Sequence, residues 1–150
     1  MGNANGQALF SEVGCILCHT QSYQTPAGVQ IPTDFHGHTQ TVNALSNQTV
    51  NLYSDLLLHH MGSGLADGIN GKGFGQATGD QFRTEPLWGL SFQAIYLHDG
   101  RDNNVMQAIE DHFNLANGTY PASEANQVIT NFNSLSPLDQ ADLISFINSL

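Results

Sequence analysis

Both cysteines of this 150-residue chain stand in one short run, Cys15-Ile16-Leu17-Cys18-His19. Sulfurs this close cannot staple distant segments of a domain, so no disulfide framework replaces a core here. The run offers two thiols and an imidazole on a single turn of chain instead. The rest of the sequence needs such an organiser. Gln21 to Asn51 is polar, with Pro26, Pro32 and many Thr, Gln and Asn, and Gly62 to Gly79 carries seven glycines. Loops this long are uncommon in a compact domain unless they wrap something.

The run is C-x-x-C-H, the attachment signal for c-type haem. On one turn the two sulfurs reach the two vinyl groups of a porphyrin while the adjacent imidazole coordinates iron. Two blander readings compete. A thioredoxin-like redox pair requires a βαβ context that the sequence lacks. A zinc knuckle requires a second ligand pair, and although His36-Gly37-His38 and His59-His60 exist, no second cysteine pair does. The sequence therefore predicts one covalent haem c, bound through Cys15 and Cys18, with His19 as proximal ligand. A porphyrin brings its own apolar surface, so the haem-free chain is expected to fold poorly. Such attachment takes place outside the cytoplasm, which predicts a periplasmic protein, although Met1 to Gly6 has neither the basic nor the apolar region of a secretion signal.

Composition narrows the partners. Hydrophobic residues make up 40% and charged residues 11%, a balance that suits one foldable domain over residues 1–150. No repeat, linker or charge run divides it. Asp and Glu number 13 against 3 Lys and Arg, for a formal charge of −10. Nucleic acid and anionic membrane surfaces demand clustered cations, so neither is an expected partner. A redox protein with a basic docking face is. No apolar run approaches the roughly 20 residues that cross a bilayer.

The periodicity predicts an all-α fold, with cytochrome c-like helices wrapped around the haem and long irregular loops between them. Leu9, Phe10 and Val13 mark a first helix, and Leu143, Phe146, Ile147 and Leu150 mark the last, with Ser136 as its cap and Pro137 in its first turn. Asn103 to Ala116 reads as a helix with Val105, Ala108, Ile109 and His112 on one face. Glu124 to Leu135 reads as another, and Leu52 to Met61 as a short fifth.

Arg83-Thr84-Glu85-Pro86-Leu87-Trp88-Gly89 and His98-Asp99-Gly100-Arg101 resemble the R-T-x-P-L-W-G and H-D-G-R signatures of the bacterial dihaem oxidoreductases, relatives of the dihaem cytochrome c peroxidases. Ala44-Leu45-Ser46-Asn47 and Ser54 to Gly62 extend the likeness over most of the chain. That family carries two haems on two domains, and the resemblance here is to the C-terminal, electron-transfer half. His60 stands where the pattern has an acidic residue. In the related peroxidases an axial methionine follows the His of H-D-G by fourteen positions; here that position holds His112. The resemblance thus implies His112 as sixth ligand, with Met61 as runner-up; Met106 projects from another face of the same helix.

Arg83 and Arg101 are two of the three cations, suited either to haem propionates or to bracing loop carbonyls. Trp88 reads as core packing or as packing against the porphyrin. His36 and His38 read as exposed imidazoles, one of His59 and His60 as buried and hydrogen-bonded, and His98 as a structural hydrogen bond in a turn. Gly71-Lys72-Gly73 lacks the Ser or Thr of a phosphate loop. The expected function is single-electron transfer through a His/His-ligated low-spin haem. The alternative is a peroxidase-like enzyme whose sixth ligand is displaceable.

Overall fold

A computed structural model describes residues 3–69 and 77–150, which leaves the Gly71-Lys72-Gly73 stretch outside it. Helix α1, Ala4–Glu12, starts where the Asn3 side chain accepts from the Asn5 and Gly6 N–H groups, a cap the sequence reading overlooked. It ends into Gly14, whose φ of 107° is a left-handed conformation open to glycine, and a 3-10 turn follows over Cys15–Leu17. The attachment motif is therefore hung directly on the end of a packed helix.

Helix α4, Pro137–Ile147, begins as expected, with Ser136 Oγ accepting from Asp139 N–H at 3.2 Å. It crosses α1 so closely that a Cβ on Gly6 would collide with the Asp142 carbonyl. Leu9, Phe10 and Val13 of the first segment pack there against Leu143, Phe146 and Ile147. Helix α3, Asn126–Asn133, adds Phe132 to this core and is tied to the end of α1 by Asn131 Nδ2, which donates to the Val13 carbonyl at 3.0 Å. Helix α2, Val105–Glu110, contributes Val105.

The all-α expectation fails between these helices. Helix accounts for 30% and strand for 13%, and among the described residues six short strands form three two-stranded antiparallel sheets. β1 (Tyr23–Gln24) pairs with β4 (Thr49–Val50), β2 (Gln30–Pro32) with β3 (Thr39–Thr41), and β5 (Leu58–His60) with β6 (Gln81–Arg83). The reason is the backbone accounting of long loops: every N–H and C=O away from water needs a partner, and short ladders supply them without an apolar helical face. Tyr23, Ile31, Thr39, Thr41, Thr49, Val50 and Phe82 are β-branched or aromatic residues, which suit extended chain. In the β2–β3 hairpin the Asp34 side chain accepts from His36 N–H at 2.8 Å and fixes the turn.

Two helix expectations are also corrected. Leu52 to Met61 is not helical, because Tyr53 and Leu56 have φ of 53° and 61° and the segment runs on into β5. The helix expected to reach Ala116 stops at Glu110. There Asn114 and Asn126 exchange hydrogen bonds, Asn114 N–H to Asn126 Oδ1 and Asn126 Nδ2 to the Asn114 carbonyl, each at 2.9 Å, which claims the backbone that a longer helix would use. His112 thus sits just beyond α2, on its terminal turn.

Candidate haem-binding site

Cys15 and Cys18 are half-buried free thiols on the turn after α1. Burial pushes the Cys15 thiol up to about 12, and burial together with the charges of Asp55 and Glu124 pushes Cys18 up as well. Both stay protonated at neutral pH in the metal-free chain.

His19 is held from the far side of its ring. Nδ1 donates to the Tyr53 carbonyl at 3.0 Å, which leaves Nε2 as the lone-pair nitrogen. Burial pulls the ring down to about 4, so it is neutral across the physiological range. Tyr53 in turn is part of a strap over the attachment motif: Tyr53 N–H donates to the Gln21 carbonyl, Ser54 N–H to Thr20 and Asp55 N–H to Cys18, at 3.2, 3.0 and 2.8 Å. Phe10 stands edge-on to both Tyr53 and Phe146, with ring centroids 5.9 and 5.6 Å apart, so the helical core runs up to His19.

His112 repeats the arrangement. Its Nδ1 donates to the Ala108 carbonyl at 2.6 Å, and burial lowers its pKa. Metal-bound histidines have this form, with Nδ1–H spent on a carbonyl and Nε2 offered to the metal.

His59 and His60 are bound differently. His59 lies between two carboxylates, with Nδ1 on Glu124 Oε2 at 2.8 Å and Nε2 on Asp55 Oδ2 at 2.9 Å. Burial opposes its charge, but the two hydrogen bonds and two negative charges outweigh it, and the pKa is raised. His60 Nδ1 bonds to the fully buried Asp80 at 2.8 Å, while Gln81 Nε2 donates to its other nitrogen at 3.1 Å. Cys18, Asp55 and His59 place donor atoms within 4.8 Å of one another, and both ring nitrogens of His59 are already engaged.

The remaining predicted residues fall as follows. Arg101 places Nε and Nη2 on Asp99 Oδ2 at 2.7 and 2.6 Å and donates from Nη1 to the Gly64 carbonyl at 2.8 Å, so it braces a loop. Arg83 is exposed and pairs with Glu85 at 3.0 Å. Trp88 is 58% exposed and stays out of the core. Met61 is half-buried, its N–H on the Asp80 carbonyl. His98 makes no turn hydrogen bond; it stacks on Phe82 at 4.1 Å between centroids. The surface imidazole His38 pairs with Asp34.

Compared with models of known protein families, residues 2–150 match the family described as "Di-haem oxidoreductase, putative peroxidase". The chain belongs to this di-haem oxidoreductase family. Its members' haem and redox role therefore apply here in outline. No curated protein and no solved structure matches the chain.

The side chains of this di-haem oxidoreductase family member fit a haem. Two protonated thiols on one turn and two imidazoles with Nε2 hydrogen-bonded to nothing among the described residues are the donor set that c-type attachment and axial ligation require. Leu57 and Phe92 are 60% and 91% exposed, like Trp88, an apolar excess that a porphyrin would cover. A buried polar atom also waits for a partner: Asp102 Oδ2 is hydrogen-bonded to nothing among the described residues.

Sequence reasoning missed the carbonyls of Tyr53 and Ala108, the Ser54 hydroxyl, and the carboxylates Asp80 and Glu124. A backbone carbonyl leaves no mark in side-chain identity. Asp55 was findable, since it stands four residues before His59.

Proposed function

We propose that this chain is a monohaem c-type cytochrome domain that passes single electrons, with His19 and His112 as the two axial donors. The observation that carries this reading is the matched pair of imidazoles, each with Nδ1 on a backbone carbonyl and with Nε2 hydrogen-bonded to nothing among the described residues. Bound there, haem supplies a one-electron couple at iron. Cys15 and Cys18 would anchor it through their sulfurs, and the turn after α1 carries His19 beside them. His19 and His112 would hold its iron, and an iron held by both imidazoles favours a carrier over a peroxidase.

Histidine in place of the methionine common in cytochromes c lowers the reduction potential, because thioether ligation favours reduced iron. The −10 charge steers the domain to a redox protein with a basic docking face and makes association salt-sensitive. Haem addition to paired thiols is made outside the cytoplasm, which supports assembly in the periplasm in this reading.

Mass spectrometry of the denatured protein, produced with a haem-attachment system, tests the anchor: the chain is expected to carry the mass of one haem. An electron paramagnetic resonance spectrum of the ferric protein tests the ligands, with low-spin His/His signals expected. The near-infrared band of methionine-sulfur ligation would replace His112 with Met61 in this reading. Rapid, sustained consumption of peroxide with a reducing substrate would favour the enzyme over the carrier.

A further inference from the structure

The strap that carries the Tyr53 carbonyl is unusually constrained. Tyr53 and Leu56, with φ of 53° and 61°, both occupy the left-handed region within four residues, and neither is glycine. Side chains other than Gly, Asn and Asp rarely stay there unless surrounding bonds over-determine the backbone. Between them lies Ser54, which has no solvent exposure. Its Oγ donates to the Thr84 carbonyl at 2.7 Å and accepts from Leu56 N–H at 2.9 Å. Thr84 N–H returns to the Leu57 carbonyl at 2.9 Å. One hydroxyl thus locks the 53–57 segment onto the Arg83-Thr84-Glu85-Pro86 segment.

We propose that Ser54 is a positioning residue for the proximal ligand: its hydroxyl fixes the Tyr53 carbonyl against His19 Nδ1 and thereby sets how strongly that imidazole donates to iron. The inference rests on the reading of His19 as an axial donor. A firm Nδ1–H···O bond makes a ring more basic at Nε2 and favours the ferric state. When the hydroxyl is removed, Leu56 N–H and the Thr84 carbonyl lose their buried partner and the strap can relax. The Tyr53 carbonyl then drifts, the Nδ1 bond lengthens, and His19 becomes a weaker donor. His112 is untouched, since its carbonyl belongs to α2.

The test is the reduction potential of the haem-loaded Ser54→Ala protein beside wild type and beside Ile129→Ala, a core truncation in α3 away from the strap. Ser54→Ala is expected to raise the potential and to move the ring-proton resonances of His19 but not those of His112. Ile129→Ala is expected to lower thermal stability and leave the potential in place. A Ser54→Ala protein that loses stability but keeps the wild-type potential overturns the proposal and makes Ser54 structural only. Should that variant fail to fold, hydrogen exchange in the wild-type holoprotein decides: the Leu56 amide and His19 Nδ1–H are expected to open together, and a Leu56 amide exchanging a hundredfold faster breaks the link. A wild-type chain without a haem adduct would instead remove the His19 reading itself, a result that the mass spectrum separates from either outcome.

Discussion

Two pairs of histidines in this molecule carry the same ring in different surroundings. His19 and His112 rest Nδ1 on the backbone carbonyls of Tyr53 and Ala108. His59 is gripped at both nitrogens by Glu124 and Asp55, and His60 leans on buried Asp80. A carbonyl orients a ring without adding charge, so burial wins and both rings of the first pair have lowered pKa values. Two carboxylates reverse the balance at His59. The contrast teaches that the atom behind a histidine, more than the histidine, decides whether it offers a lone pair or holds a proton.

The comparison breaks most visibly if the thiols are removed. Cys15→Ala with Cys18→Ala is expected to abolish the haem adduct in the mass spectrum and, with it, most of the cooperative thermal transition. A double variant that still carries covalent haem would mean that the attachment beside the first pair does not run through these thiols. Next in size, His112→Ala is expected to convert a low-spin ferric spectrum to high spin, while His59→Ala leaves it low spin. Equal spectra in the two variants would erase the distinction.

A smaller effect sharpens the second pair. The raised pKa of His59 adds stability that is complete below its ordinary 6.5 and is lost as pH climbs through the raised value. The lowered pKa values of Asp55 and Glu124 add stability that is complete above their ordinary 3.8 and 4.5 and is lost as pH falls through the lowered values. Their overlap predicts that the stability contributed by this cluster, read from the thermal midpoint against pH, is highest between about 4.5 and 6.5, on a background in which buried, neutral His19 and His112 cost stability as pH falls below their ordinary 6.5. In this window His59→Ala should cost roughly 2 kcal/mol, the scale of hydrogen bonds to charged groups, and should flatten the profile. A profile that keeps its shape in the variant would assign it to other groups. Least of all, His38→Ala should leave the midpoint unchanged, because its carboxylate partner Asp34 is in open solvent. A measurable loss there would show that pairing alone, without burial, is enough.

The sequence was most legible where chemistry and chain position coincide. Cys15, Cys18 and His19 declare themselves by spacing, and the Ser136-Pro137 start of α4 by capping rules. His112 was singled out by its distance from the H-D-G motif, and the accompanying argument from the apolar face of a long helix fails because α2 stops at Glu110. The strands were illegible for a physical reason: β1 to β6 are two or three residues long and mostly exposed, so no alternation of apolar and polar residues marks them. Asp80 was hidden likewise, since nothing in its neighbours announces that His60 lies twenty residues back and across a ladder.

The strap over the attachment motif has a consequence in time. The carbonyl that orients His19 lies 34 positions further along the chain, and the α3 side chain that secures the end of α1 lies 118 positions beyond Val13. Contacts this remote require large loops to close first, and closing them is slow. A chain whose strap and α3 close late is expected to leave Cys15 and Cys18 open to chemistry before the fold is complete, so topology itself sets the interval in which the thiols can react.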